Sequence, residues 1–196
     1  MQTNPNTVTI REFCFEISEN DSDVVSLVFY KIPLLAVRAL GQIRIDWADG
    51  NYDTPYCALS DAELQSMVTD ETQQPTLIVR HRYDYSAART IRLTTASGFL
   101  PLAALPYQTI AIKTELPTLT VGETSQDGAL LGSDTLPKLV GDDASGRSRL
   151  QEIPSNLLIA NPQLSNFDFA FERSNLQSID ANFFSYCKNL TSLVRT

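Results

Sequence analysis

His81 is the only histidine in the chain, so any nucleophilic enzyme site of the Ser–His–Asp or Cys–His kind would have to use it. It lies in the segment TLIVRHRY, where Leu77, Val79 and Tyr83 share its face of an alternating pattern. A histidine on an apolar strand face favours a hydrogen-bonded structural role over a catalytic one. The sequence also lacks a G-x-S-x-G nucleophile turn, a Walker phosphate loop, a G-x-G-x-x-G loop and an H-E-x-x-H zinc motif. The position of His81 and the lack of these motifs favour a protein that is not an enzyme. We therefore assign no catalytic residue and no cofactor-binding residue.

Acidic side chains suggest two further kinds of chemistry. Asp46, Asp49 and Asp53 could supply oxygen ligands to a calcium ion from one hairpin, although their spacing does not match an EF-hand loop. Turn formation and solvation is the favoured interpretation for these acids, and also for Asp142 and Asp143. Two facing carboxylates could instead hydrolyse a glycoside, which keeps a glycan-active enzyme as the least favoured hypothesis. No metal ligand and no cofactor are assigned, and a need for calcium is left open.

Four arginines, Arg44, Arg80, Arg82 and Arg92, are predicted to form a basic stripe on the outer face of a sheet. Such a stripe could contact an acidic protein partner, or it could simply solvate the sheet face. The net charge of −8 opposes binding to nucleic acid or to an anionic membrane. No segment approaches the roughly 20 apolar residues that a membrane-spanning helix needs. We therefore expect neither nucleic-acid binding nor membrane insertion.

Strands are the elements that must position these side chains. QIRIDW, TLIVRHRY and RTIRLTT alternate apolar and polar residues, as half-buried strands do. TVTIREFCFEI alternates too, with a slip between Ile10 and Phe13 that predicts a bulge or short break. DVVSLVFY and IPLLAVRAL are further candidates, and Pro33 keeps the second away from a central position. Ser60 and Glu63 form a capping-box pattern that predicts a short helix between strands.

Two of these segments carry a more specific pattern. IDWADG contains a tight turn after a tryptophan, and HRYDYSAARTIRL follows further along the chain. Together they resemble a PKD-type immunoglobulin-like domain, whose pattern is a W-x-x-G-D-G turn followed by an H-x-Y strand. The motif residues that match in place are Trp47, Asp49, Gly50, His81 and Tyr83. The sequence departs from the pattern at Ala48, where the family often has Gly or Phe. The resemblance implies a β-sandwich domain at residues 1–105 that acts as a non-catalytic spacer, adhesive or assembly module.

The last part of the chain nearly repeats itself. LQEIPSNLLIANPQLSNF begins at residue 150 and LQSIDANFFSYCKNLTSL at residue 176, an offset of 176 − 150 = 26 residues. This period is typical of leucine-rich repeats, in which stacked coils bury a continuous core. The pattern resembles the BspA-type leucine-rich repeats of bacterial surface proteins and some phage virion proteins. The predicted repeat core is Leu150, Ile153, Leu164, Leu176, Ile179 and Leu190. We assign residues 106–149 to an acidic joint with a degenerate first repeat and residues 150–196 to the repeats, and we expect the array to continue or to be covered by a partner.

The predicted fold is mainly β, with an N-terminal immunoglobulin/PKD-like sandwich and a short C-terminal leucine-rich-repeat solenoid. The N-terminus lacks the basic head and apolar core of a signal peptide. A PKD-like module joined to BspA-type repeats in one chain without such a signal resembles a phage virion component. This resemblance implies the leading hypothesis, a non-enzymatic structural or attachment protein of a phage particle, assembled in the host cytoplasm, such as a head decoration, fibre, collar or tail component. Its expected partners are other virion subunits, further copies of itself and a host-surface protein or glycan. The alternative is a fragment of a bacterial cell-surface adhesin that binds host protein or glycan.

Overall fold

The computed structural model describes residues 11–19, 23–30, 43–55, 62, 76–95, 100, 102–117, 123–124, 130–131, 138–161, 164, 166–167 and 170–191. Ten strands lie within these residues: β1 Arg11–Ile17, β2 Val24–Tyr30, β3 Ile43–Asp46, β4 Tyr52–Asp53, β5 Thr76–Arg82, β6 Arg89–Thr95, β7 Leu102–Ala104, β8 Thr109–Ile112, β9 Glu123–Thr124 and β10 Leu130–Leu131. One turn of 3-10 helix spans Phe183–Tyr186. The fold is mainly β, as the sequence predicts.

The strands follow the alternation of the sequence. In β6 the side chains of Ile91, Leu93 and Thr95 are buried while Arg92 is exposed. In β1 the side chains of Phe13 and Phe15 are fully buried. A strand with one buried and one solvated face has this period of two, because successive side chains point to opposite faces.

Two antiparallel sheets enclose the core. The five-stranded sheet has the order β4-β3-β6-β1-β8, and the three-stranded sheet has the order β5-β2-β7. A short hairpin pairs β9 with β10. Phe13 and Ile45 from the first sheet and Leu27 and Phe29 from the second belong to one cluster of buried side chains. The two sheets therefore pack through their inner faces and turn their outer faces away from each other.

The C-terminal part continues the edges of both sheets. At the edge of the five-stranded sheet, Ala111 of β8 forms a parallel bridge with Glu152. At the edge of the three-stranded sheet, Leu105, which follows β7, forms a parallel bridge with Val140. The backbone N–H of Asn175 donates to the carbonyl of Leu150 at 2.9 Å. The segment at Asn175 therefore lies beside the segment at Leu150, which itself lies beside β8. Strand β8 lies in the segment 106–149, so the first part of that segment belongs to the five-stranded sheet.

The repeat in the sequence is matched by a repeat of backbone hydrogen bonds. We call the described residues of 150–175 the first repeat layer and those of 176–191 the second repeat layer. Four N–H···O=C bonds within 154–164 recur within 180–190, each shifted by 183 − 157 = 26 residues. In the order donor to acceptor, the first set is Leu157 to Pro154, Ile159 to Asn156, Asn161 to Leu158 and Leu164 to Asn161, and the second set is Phe183 to Asp180, Ser185 to Asn182, Cys187 to Phe184 and Leu190 to Cys187. The two copies therefore fold the same way.

The two repeat layers pack on the same core as the sheets. Leu150 and Leu164 are buried, and four further predicted repeat positions are half-buried against the cluster, namely Ile153, Leu176, Ile179 and Leu190. The rings of Phe167 and Phe184 meet edge to face, with centroids 5.3 Å apart. One apolar core thus runs from the sheets into the repeat layers.

Some predictions lie outside the described residues. The alternation at Val8 and Ile10, the candidate strand IPLLAVRAL and nearly all of the capping-box segment from Ser60 belong to this group. Within the described part of the chain, no helix has the length and apolarity needed to span a bilayer.

Candidate functional site

The turn after β3 is built by aspartate side chains that bond to nearby backbone. Oδ1 of Asp46 accepts the N–H of Ala48 at 3.0 Å, and Oδ1 of Asp49 accepts the N–H of Asn51 at 3.0 Å. These are the local bonds that make aspartate common in turns. Ala48 and Gly50 both have positive φ, 61° and 92°, so the turn uses the left-handed region twice. Glycine adopts that region without a steric cost, whereas alanine does not.

The turn holds three aromatic side chains of the predicted motif in contact. The Trp47 ring stacks on the His81 ring, with centroids 4.8 Å apart and planes 10° from parallel. The Tyr83 ring packs against the His81 ring edge to face, with centroids 4.6 Å apart. The indole N–H of Trp47 donates to Asp53 Oδ2 at 2.8 Å, and the Tyr83 hydroxyl donates to the Trp47 carbonyl at 2.9 Å. We call Trp47, Asp49, Gly50, His81 and Tyr83 the tryptophan cluster, because the structure brings all five together.

His81 is engaged by an acid inside this cluster. Its Nε2 lies 2.7 Å from Oδ2 of Asp49, and only 13% of its side chain is exposed. Partial burial alone would raise the pKa of Asp49, but the bonds from His81 and the Asn51 amide outweigh burial and hold that pKa below its ordinary value. Burial and the nearby Asp49 carboxylate raise the pKa of Tyr83 well above the ordinary range of a phenol. Asp49 thus engages Nε2 of His81, while the Trp47 and Tyr83 rings pack against its imidazole.

The sequence does not single out Arg89, which completes the cluster. Its guanidinium carbon lies 4.3 Å from the centroid of Tyr83 and 4.8 Å from that of Tyr85. It also donates to the backbone carbonyls of Ala48 and Tyr85. The alternation of β6 places Arg89 on the same face as the buried Ile91 and Leu93, but no pattern in the sequence predicts its contacts with the two tyrosine rings.

The three aspartates considered for calcium each accept a hydrogen bond from the protein. Asp46 binds the Ala48 amide, Asp49 binds His81 and Asp53 binds the Trp47 indole. Among the residues that the structure describes, no group of three or more His, Cys, Asp or Glu side chains is arranged to hold a metal ion.

The acid pair Asp142–Asp143 is also engaged in local bonds. Asp142 pairs with Lys138 at 2.7 Å. Oδ1 of Asp143 accepts the hydroxyl and the N–H of Ser145 and the N–H of Arg147. These bonds, from Ser145 first, lower the pKa of Asp143. Both acids therefore shape a loop.

The four predicted surface arginines do not form one stripe. Arg44 and Arg92 lie on neighbouring strands β3 and β6, whereas Arg80 and Arg82 lie on β5 in the other sheet. The reason is that β5 pairs with β2 and not with β6. Each outer face therefore carries one arginine pair. Local contacts engage three of the four: Arg92 binds Glu12 at 3.0 Å, Arg82 binds Asp23 at 3.4 Å and Arg44 lies over the Tyr52 ring.

The junction between the sheets and the first repeat layer depends on Asn161. This residue is fully buried, and its side-chain amide donates to the carbonyl of Leu116 at 3.1 Å and to that of Pro117 at 3.2 Å. Lys113 of the same edge bridges Glu16 of β1 and Glu152 of the first repeat layer at 3.0 and 3.2 Å. Backbone, amide and charge contacts thus join the two parts of the molecule.

A cleft of about 320 Å³ opens beside this junction. Its walls come from four segments that are distant in sequence: the residues that follow β1, strand β8, the stretch from Asp143 to Gln151 and the end of the first repeat layer at Asn175.

Comparisons of the chain with protein-family models, with curated proteins and with solved structures find no match.

Proposed function

We propose that this chain is a non-enzymatic structural and attachment protein, and that it belongs to a phage particle as a head-decoration, fibre, collar or tail component. The observation that carries the proposal is the single apolar core that joins the two sheets to the stacked repeat layers. The contact between His81 Nε2 and the Asp49 carboxylate adds to it, because this contact engages the histidine within the fold. Such a molecule offers large rigid surfaces. Its one histidine is committed to the fold.

The proposal takes the two sheets to be an immunoglobulin/PKD-like sandwich. In support, the five residues that match the PKD pattern meet in one cluster, and the departure at Ala48 sits at a positive φ where glycine is the easier residue. In such a sandwich the tryptophan anchors the core and the turn sets the position of the following strand.

The proposal also takes the repeat layers to be a short solenoid of the BspA type. The recurrence of four backbone bonds at one offset supports this view, as does the packing of both layers on the sheet core. Layers of this kind build an extended surface that suits binding to another macromolecule. PKD-like and BspA-type modules joined in one chain resemble phage virion proteins, which is why we place this protein on a particle.

The first test is whether the protein is part of a particle. The natural gene is tagged, particles are purified through a salt wash, and mass spectrometry measures the copy number per particle. A fixed stoichiometry with capsid or tail subunits supports the proposal. Recovery in a cell envelope fraction, free of particle subunits, would replace it with the bacterial surface adhesin.

The two arginine pairs provide matched variants for locating the docking face. Arg80→Glu with Arg82→Glu reverses charge on the face of β5, and Arg44→Glu with Arg92→Glu does the same on the opposite face. If one face docks on an acidic particle surface, one double variant loses incorporation and the other retains it. Equal incorporation of both would show that docking does not use these arginines.

A further inference from the structure

We propose that the cleft at the junction binds a neutral oligosaccharide, and that the exposed ring of Tyr85 supports an adjoining sugar unit. This inference rests on the attachment function proposed above, whose ligand class it names.

The cleft is the right size and polarity for a short sugar chain. Its volume of about 320 Å³ is at the lower end of the range for small-molecule sites, roughly 300–1,000 Å³. Ile110 is the one apolar residue among those that line it. A ligand that fills such a cleft must satisfy polar groups on nearly every side, because unpaired polar groups are costly to desolvate.

The charges of the lining favour a neutral ligand. Arg147 and Arg149 supply two positive groups, and Glu19 and Asp143 supply two negative ones. A phosphate or sulfate would meet both carboxylates, and a cationic ligand would meet both guanidinium groups. Sugar hydroxyls donate and accept hydrogen bonds, so they suit both kinds of group at once.

The uncharged polar groups of the lining add to this match. Gln151 and Asn175 contribute exposed side-chain amides, which can donate to one hydroxyl of a sugar and accept from the next. Ser18 and Ser148 contribute hydroxyls. The cleft thus combines acid, amide, guanidinium and hydroxyl groups.

The backbone around the cleft opposes the main alternative, an extended peptide. A peptide that adds to a sheet edge needs free backbone donors and acceptors there. The Ile110 carbonyl already accepts the N–H groups of Gln151 and Glu152, and the Leu150 carbonyl accepts that of Asn175. Recognition in this cleft therefore has to use side chains, as sugar recognition does.

Further hydrogen bonds hold the residues that line the cleft in place without a ligand. The Ser18 N–H donates to Gln108 at 3.0 Å, and the Ser148 N–H donates to Arg173 at 3.1 Å. The Asp143 carboxylate is held by the amides of Ser145 and Arg147. A preformed site loses little conformational entropy on binding, which matters for weakly bound sugars.

Tyr85 offers a surface for a second sugar unit. Its side chain is 67% exposed, and it lines a small recess that shares Ser18 with the cleft. Arg89 contacts the ring and helps to hold it in place. An exposed aromatic ring next to a polar cleft provides the apolar patch on which the C–H face of a pyranose packs.

The test uses the full chain on a glycan array that carries neutral, sialylated and sulfated glycans. The best neutral glycan is then titrated into ¹⁵N-labelled protein. We expect saturable shifts of the backbone amides of Ile110, Ser148 and Gln151. The double variant Gln151→Ala, Asn175→Ala should weaken binding about tenfold or more, and Tyr85→Ala about fivefold.

Matched controls keep the result specific. Asn156→Ala with Gln177→Ala removes two exposed amides that do not line the cleft, and Tyr52→Ala removes another exposed tyrosine that also carries an arginine over its ring. Both controls should bind as the parent does, and Trp47 fluorescence checks that every variant is folded.

Several outcomes would overturn the proposal. These are no binding to any neutral glycan, binding confined to sialylated or sulfated glycans, and affinity unchanged in the Gln151/Asn175 double variant. Capture of an extended peptide in the cleft instead of a sugar would also overturn it. Any of these results in a protein that still joins a particle at fixed stoichiometry would remove the sugar ligand and leave the virion role intact.

Discussion

Replacing Asn161 with aspartate should destabilise the protein more than its small change in shape suggests. The buried amide donates to the Leu116 and Pro117 carbonyls, and a carboxylate cannot donate to either. Each of the two buried carbonyls loses its donor, and an unpaired buried acceptor costs about 2 kcal/mol. We expect Asn161→Asp to lower the free energy of unfolding by about 4 kcal/mol at neutral pH.

Urea unfolding measures this loss directly. With a slope of about 2 kcal/mol per molar urea, the midpoint should fall by about 2 M. Trp47 is the only tryptophan and is fully buried in the sheet core, so its fluorescence reports on the sheets, while far-UV circular dichroism reports on the whole chain. Because Trp47 and the repeat layers share one core, both probes should show the same shifted midpoint.

The pH dependence identifies the cause. Burial beside two carbonyls raises the pKa of the substituted carboxyl above its unfolded value, so the loss is full at neutral pH and shrinks as the pH falls through the raised pKa. Asn156→Asp, an exposed change in the same turn, should alter stability by no more than about 0.5 kcal/mol. Equal midpoints for the two variants would refute the role of Asn161, and a shift seen by circular dichroism alone would refute the shared core.

Three more predictions concern the tryptophan cluster. Tyr83→Phe removes the hydrogen bond to the Trp47 carbonyl and should lower the free energy of unfolding, measured in urea, by about 1–2 kcal/mol. The control Tyr85→Phe should change this free energy by less than about 0.5 kcal/mol. Equal changes in the two variants would contradict a stabilising role for the Tyr83 bond. Ala48→Gly relieves the positive φ and should raise stability by about 0.5–1 kcal/mol, and a loss would show that this turn is unstrained. The lowered pKa of Asp49 stabilises the folded protein at pH values above 3.8, the ordinary pKa of this carboxyl, and this contribution is lost as the pH falls through the lowered pKa. The Asp49→Asn variant should therefore lose less stability on acidification than the parent protein. The same loss of urea midpoint on acidification in the parent and in Asp49→Asn would contradict the role given to Asp49.

The alternation of apolar and polar residues in the sequence predicts strands β1, β3, β5 and β6, and the apolar run DVVSLVFY predicts β2. It does not predict β7 and β8, whose three and four residues do not alternate between buried and exposed side chains. Both strands nevertheless decide the architecture, since their edges continue into the repeat layers.

Alternation also predicts which face a residue occupies but not which strand lies beside it. Arg80 and Arg92 were both predicted on outer faces, and they lie on different sheets. The sequence singles out the five residues of the tryptophan cluster but not the contacts among them. The pairing of Asp49 with His81 joins positions 32 residues apart, which only the three-dimensional fold specifies.

Asn161 and the cleft left no signal in the sequence for a different reason. The residue equivalent to Asn161 in the second repeat layer is Cys187, so its buried amide does not recur as a repeat position would. The cleft combines residues from four distant segments, none of which has a recognisable motif.

The identical offset of the backbone bonds in the two repeat layers affects how such a chain can change length. Gain or loss of one whole 26-residue unit keeps every bond in register and returns each apolar side chain to the core. An insertion of any other size between these bonds would turn polar side chains inward, which is costly. Unequal recombination between the two copies of this stretch of the gene can therefore lengthen or shorten the protein in steps without changing the sheets or the tryptophan cluster. The junction is kept only when the copy that carries Asn161 stays beside the sheets, because the second copy has Cys187 at that position.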